Sequence, residues 1–318
     1  MSTELHKSGN LLRRLLRQKE IQIFVLLGVV FLLIFNYMPL MGVVIAFKDY
    51  SITSGIPGIF KAPFNNFAHF KEFFSDRRFM DLLRNTVCLS VLKLICTFPA
   101  PIILAILINE VRNKAFKRIV QTVSYLPNFI SWVLVLNLAT FFFSENKGVF
   151  NEIFMGLGLL KQPVNWLTSP GAFYGFSSAL AVWKTMGWWA IIYLASITSI
   201  DPALYEAAGI DGAGRIQKIL HITFPGIKGA IITVLILSIG GLLGGGMGGA
   251  NFEQSYLFGN VMNNSTSEII QTHAFKLGLA EGRFAYATAV DLCQSCISIL
   301  LILVSNKAAK MISGDGIF

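Results

Sequence analysis

The chain has 318 residues, of which 54% are hydrophobic and 14% charged, and its mean hydropathy is +0.63. Soluble domains carry roughly 25% charged residues, so this composition excludes an ordinary soluble globular protein and fits an all-α polytopic membrane protein. The formal net charge of +9 is accounted for by basic cytoplasmic segments of such a protein, and no nucleic-acid partner is expected.

Residues 1–20 form a basic segment with Lys7, Arg13, Arg14, Arg17 and Lys19, and the pattern LLRRLLR fits a short amphipathic helix on the membrane surface. The apolar run that follows is too long for the core of a signal peptide and has no small-residue cleavage site. A first span is expected over 21–47, with a kink near Pro39. Residues 48–83 are polar and rich in phenylalanine, which predicts a small extramembrane cap with an amphipathic helix over Phe67–Leu83. A second span over 84–108 carries Pro99 and Pro101 and should bend. A short basic loop, 109–118, leads into a third span over 119–143.

Residues 144–170 read as a second external segment. The fourth span, 171–200, contains Trp183, Lys184, Trp188 and Trp189. The segment 201–226 follows, and it alone between two spans combines charge, glycine and helix formers. Asp201 is placed to cap a helix that Pro202 begins, and a break is expected near Gly212. A second short helix over Arg215–Phe224 puts Ile216, Ile219, Leu220 and Phe224 on one face. The fifth span, 227–250, is rich in glycine, and pairs such as Gly240/Gly244 and Gly245/Gly249 have the spacing of close helix packing. A polar stretch to 282, a sixth span over 283–305 and a tail over 306–318 complete six spans in one transmembrane domain, 21–305.

Charge orients the chain. With the N-terminus inside, the inner segments hold 14 Lys and Arg in about 74 residues and the outer ones 10 in about 98, as the positive-inside rule requires. Both termini and the 201–226 segment are thereby placed in the cytoplasm.

Candidate chemistry is sparse. There is no phosphate-binding loop, no HExxH and no GxSxG, so the chain is not expected to be an enzyme, to hydrolyse ATP or to bind a metal or cofactor itself. Cys88, Cys96, Cys293 and Cys296 lie in apolar stretches and read as small packing residues rather than a disulfide framework. Lys93, Lys184 and Asp291 fall inside spans, where a charge requires a wet cavity or a partner. Lys184 with Trp183, Trp188 and Trp189 has the composition of a sugar path, although tryptophan also marks membrane interfaces. Asp291 fits pairing with a neighbouring helix or subunit, or a proton relay; with Lys184 it could serve an ion-coupled secondary carrier.

The segment Glu206-Ala207-Ala208, three residues, Gly212, nine residues, Ile222-x-Phe224-Pro225 resembles the EAA signature of binding-protein-dependent ABC importer permeases. Phe224 stands where the family has leucine, a change that keeps the position apolar. Met38-Pro39-Leu40, Ala46 to Tyr50, Asp201 to Tyr205, Phe252-Glu253-Gln254 and Ala285 to Ala289 are similar to the sugar branch, in the poly- and oligosaccharide group often named LplB-like. The resemblance covers nearly the whole chain. It weakens at Asp291, where a small residue is usual, and at Gln271-Thr272-His273, where an Asp-Thr-Tyr-like run is common.

The resemblance implies a type I importer permease in a bacterial cytoplasmic membrane, moving a sugar. It implies a second homologous permease, two ATPase subunits that hold ATP and Mg, and an extracytoplasmic solute-binding protein. It also implies that Glu206, Ala207, Ala208, Gly212, Ile222 and Pro225 form the element that docks on the ATPase.

Overall fold

The computed structural model describes residues 18–145 and 148–313. The basic LLRRLLR segment lies outside them. Among the described residues the chain is helical, with one isolated antiparallel bridge between Lys48 and Phe64. Four helices are long and apolar enough to cross a membrane, and six spans result if each of two bent pairs is counted as one.

Helix α1, Lys19–Phe47, has the apolar composition of a span, yet its side chains from Ile23 to Met41 are exposed within this chain. The kink expected at Pro39 takes the form of a widened π turn, Leu33–Tyr37, followed by a tighter 3-10 stretch, Met41–Phe47. Proline lacks an N–H and its ring crowds the carbonyl four residues back, so the preceding turn opens. The phenylalanine-rich cap does not hold a single helix over Phe67–Leu83. Helix α2, Ala68–Ser75, ends at an extended Asp76 whose carboxylate accepts from the Arg78 N–H at 2.8 Å, and α3 starts at Phe79. A local Asx turn therefore overrides the apolar periodicity.

Helix α3, Phe79–Glu110, is the second span; Phe98 remains helical between its two halves, so Pro99 and Pro101 do not split it. The basic loop is shorter than expected. Asn113 caps the next helix, accepting from the N–H groups of Ala115 and Phe116, so Lys114, Lys117 and Arg118 are helical. The third span is broken: α4, Lys114–Phe129, and α5, Trp132–Phe143, meet at 105°. Pro127 lies in the 3-10 turn that ends α4, Ile130 is extended, and Ser131 caps α5. The external segment holds α6, Val149–Gly156.

Helix α7, Phe173–Thr198, is the fourth span and the centre of the molecule. Ala190, Tyr193, Leu194 and Ile197 pack against Ile102, Ala105 and Ile108 of α3. At Gly187 a Cβ would lie 1.9 Å from the Ser124 carbonyl oxygen, so glycine is what lets α4 cross α7. Helices α8, Pro202–Ile210, and α9, Arg215–Gly226, follow. Helix α9 bends by 60° into α10, Lys228–Gly240. The fifth span is not helical to residue 250. From Gly241 it becomes two 3-10 turns, with positive φ at Gly245, Gly246 and Gly249. The glycine run thus does not act as a string of helix-packing pairs: Gly240 packs on Ile302, whereas the rest form an irregular buried loop. Helices α11, Asn251–Phe258, α12, Ile270–Ala280, and α13, Phe284–Ser313, complete the chain. The expected tail from residue 306 is therefore largely the end of α13.

Candidate coupling surface and translocation path

Helices α8 and α9 form a hairpin whose turn is set by local chemistry. The Asp201 carboxylate accepts from the Ala203 N–H at 2.9 Å and Pro202 opens the helix, as capping requires. Gly212 has φ +76°, and nothing lies within 4 Å of the place a Cβ would take. The requirement for glycine there is conformational rather than steric. The Gln217 side chain accepts from the Gly214 N–H at 2.7 Å at the start of α9, and the hydroxyls of Tyr205 and Thr223 meet at 2.9 Å to tie the two arms together. A cleft of about 330 Å³ between the arms is lined by Ala208, Gly212, Lys218 and Ile222, among others.

Glu206 and Ala207 are exposed, as are Ile210 and Ile216 at 89% and 72%. Two large exposed aliphatic side chains beside an exposed carboxylate are composed to be covered by a protein groove. Helix α9 runs through Pro225 to Gly226. A π turn, Ile219–Thr223, precedes the proline as at Pro39, and the change of direction falls at Ile227.

The aromatic and lysine cluster of the fourth span does not converge. Lys184 Nζ donates to the carbonyls of Pro127 and Asn128 at 3.3 and 2.7 Å and lies over the Trp132 ring. It therefore satisfies the carbonyls freed where α4 ends, a place where the cation also complements the helix dipole. Trp188 meets Phe129 edge to face at the same break. Trp189 points the other way, and its Nε1 donates to the Met247 carbonyl at 2.8 Å. Trp183 lines an apolar groove of about 700 Å³ between α5 and α7.

A polar stripe that sequence reasoning missed runs along α3. Thr86, Ser90, Lys93 and Thr97 are all buried, and their spacing of four, three and four residues puts them on one helix face. That spacing is visible in the sequence. Lys93 Nζ donates to the Gly249 carbonyl at 3.2 Å, and Ser90 Oγ accepts from Asn251 Nδ2 at 2.9 Å. Asn251 Nδ2 also donates to the Leu243 carbonyl at 3.2 Å. With Trp189, these side chains supply donors to the backbone of the glycine loop, as irregular backbone at membrane depth demands.

Above this layer, buried Asn85 donates to the carbonyls of Ser265 and Glu268 and accepts from the Tyr174 hydroxyl at 2.7 Å. The Glu268 carboxylate is faced by Arg78 at 3.4 Å, His273 at 3.5 Å and Lys276 at 3.6 Å. The hydrogen bond from His273 holds the Glu268 carboxyl down at about 2 against the upward push of burial, and Lys276 and Arg78 add to the lowering. Among the described residues no cluster of His, Cys, Asp and Glu could hold a metal ion.

A helical domain with membrane-length apolar helices and an exposed, glycine-broken hairpin after its fourth span has the architecture of an importer permease. The profile of the family described as "Binding-protein-dependent transport system inner membrane component" matches residues 97–313, and the chain belongs to that family. It is 40% identical over 302 residues to Protein LplB of Bacillus subtilis (strain 168), covering 95% of this chain and 92% of that protein. It is 39% identical over 312 residues to the polygalacturonan/rhamnogalacturonan transport system permease protein YteP of the same strain, covering 98% and 94%. The fold matches a chain of a crystal structure of a bacterial ABC transporter involved in the import of the acidic polysaccharide alginate, with TM-score 0.84 and 34% identity over 96% of this chain and 99% of that one. A second crystal structure matched with the same score shows the alginate transporter with an alginate pentasaccharide-bound periplasmic protein.

Proposed function

We propose that this chain is a permease subunit of an ATP-driven importer that moves an acidic oligosaccharide into the bacterial cytoplasm, working with a second permease, two ATPase subunits and a solute-binding protein. The observation that carries the reading is the α8–α9 hairpin. Glu206, Ala207, Gly212 and Pro225 are exposed, its turn is held by Gly212, and its second arm, α9, leads through a 60° bend into the fifth span. A force applied at Glu206, Ala207 and Ala208 is transmitted by α9 to the 60° bend at Ile227, whose side chain is fully buried in the core. Nucleotide-driven closure of the ATPases would thus be delivered to the helices packed there, provided the ATPases contact the hairpin differently in their two states. ATP and Mg belong to those partners in this reading.

The acidic substrate class rests on the relatives, whose names include polygalacturonan and alginate transport. Lys184 is not offered as the anion contact, because two carbonyls already occupy its ammonium. Of the four path candidates in the fourth span, Trp183 and Trp188 keep exposed ring faces, at 39% and 43%. An ion-coupled carrier draws no support from Lys184 for the same reason.

The test is uptake by the complete complex in liposomes, supplied with the solute-binding protein and either oligogalacturonides or neutral arabino-oligosaccharides. ATP-dependent uptake of the acidic chains, lost in Glu206→Lys, is expected. Uptake that follows a proton or sodium gradient and survives Glu206→Lys refutes the reading. Preference for the neutral sugar refutes the acidic class alone.

A further inference from the structure

The sixth span carries a carboxylate that no described residue answers. Asp291 lies about two turns inside α13 from its outer end. It is exposed, and among the described residues its carboxylate has no ion pair or hydrogen-bond partner. An isolated carboxylate facing lipid at that depth is costly, roughly 2.5–3.5 kcal/mol on insertion scales. Its surroundings are not those of a lipid-facing surface either. Asp291 ends a groove of about 260 Å³ between α11, α12 and α13, walled by Phe252 and Phe275.

Gly278 and Ala287 in the groove lining pack on each other, a Cβ on the glycine coming within 3.0 Å of the alanine methyl, so these small residues serve the chain's own crossing of α12 and α13. Two properties of the groove identify its occupant. Its size falls below the roughly 300–1,000 Å³ typical of small-molecule sites, so it suits one inserted side chain better than an oligosaccharide. Its unanswered polar atoms are acceptors: the Asp291 carboxylate, and the amide oxygen of Gln271, which is buried without a hydrogen-bond partner. An occupant that supplies several donors and a positive charge from an apolar stem is an arginine or lysine side chain.

We infer that this groove is an interface with the second permease of the complex, which inserts a basic side chain against Asp291 and Gln271 from a facing helix. This rests on the importer reading above, because it needs a second permease. It assigns a role to Asp291 and Gln271, two of the positions at which the sequence departs from its resembling group. Membrane burial removes the water that screens such a pair, so each partner lacks a substitute once separated.

The test uses the whole complex, co-expressed with its second permease and ATPases. A photoreactive phenylalanine analogue replaces Phe275, and Asp291→Leu and Leu279→Trp are made separately. The second variant fills the groove from an exposed lining residue without changing a charge. Irradiation should join this chain to the second permease. Both variants should reduce recovery of that permease about tenfold on an affinity tag carried by this chain, while the singly expressed subunit keeps its wild-type elution volume in detergent. A wild-type complex that assembles and imports but gives no such crosslink overturns the inference and leaves the importer reading intact. A crosslink to labelled oligosaccharide or to lipid overturns it as well, by giving the groove to substrate or bilayer. Failure of the wild-type subunits to co-purify at all counts against the importer reading itself and removes the partner that this inference requires.

Discussion

The molecule interrupts a helix with glycine twice within about forty residues, and the two breaks are built on opposite terms. At Gly212 the turn between α8 and α9 is exposed, has nothing near its Cα, and is closed by short local bonds such as Ala213 N–H to the Ala208 carbonyl at 2.8 Å. At Gly241–Gly249 the loop is largely buried, and three side chains from elsewhere, Lys93, Trp189 and Asn251, donate to its carbonyls. Water can satisfy the first break, so its sequence needs only turn formers and a capping residue. The second has no water to rely on, so its sequence is legible only together with distant donors. One break is free to be a contact for another protein; the other is fixed by its own chain.

The largest expected effect breaks the exposed turn. Gly212→Val forces a β-branched residue to φ +76° where no neighbour obstructs it, a backbone strain of about 1–3 kcal/mol. Transport and ATPase retention should both fall by about tenfold or more, with the protein still inserted. Vesicle uptake and co-purification measure the two. Normal uptake would mean that the turn tolerates other shapes and that the contrast with the buried loop is smaller than drawn here.

The next effects fall on the two breaks held by side-chain donors and should act on stability. Lys184→Met leaves the Pro127 and Asn128 carbonyls without their donor, and a charge-assisted bond of this kind is worth about 1.5–3 kcal/mol. The detergent-solubilised subunit should unfold at lower temperature, and restoring the cation with Lys184→Arg should recover part of the loss. Trp189→Phe keeps the ring packing but removes the bond to the Met247 carbonyl, at a cost of about 1–3 kcal/mol for an unsatisfied acceptor. Thermal unfolding followed by fluorescence of the remaining tryptophans checks it. If either variant lowers transport without lowering stability, the side chain serves the path rather than the backbone.

The smallest effect sharpens the comparison with a charged site at the start of α3. Glu268 titrates at about 2 in the folded protein, below the ordinary 4.5. Its contribution is therefore fully present above pH 4.5 and is lost as the pH falls from there through 2. Glu268→Gln should flatten that acid limb of the melting profile, whereas Gly212→Val should leave its shape unchanged. An unchanged acid limb in Glu268→Gln would show that the Arg78, His273 and Lys276 contacts do not store stability.

Legibility followed the same division. The hairpin could be read from local signals, because Asp201, Pro202 and Gly212 act on backbone within a turn or two of themselves. The spans followed from apolar length. The break in the third span could not be read, since its carbonyls are answered by Lys184 from another helix 56 residues away. The fourth-span cluster was misleading for the same reason: four neighbouring residues suggest one site, yet Lys184 and Trp188 face α4 while Trp189 faces the glycine loop. The stripe Thr86, Ser90, Lys93 and Thr97 had a readable period, but its partners did not.

By itself, the sequence determined that this is a helical membrane permease and where its exposed, glycine-broken hairpin lies. Those properties follow from transfer energies and local backbone preferences, which neighbouring residues decide. Only the tertiary structure decided that the third span breaks by 105°, that the glycine run is a held loop rather than a helix, and which charges are answered. Lys93 and Lys184 found carbonyls within the chain, whereas among the described residues the Asp291 carboxylate has no donor. At membrane depth a polar group must be paired, and pairing across tens of residues is set by how helices cross rather than by the order in which they are written.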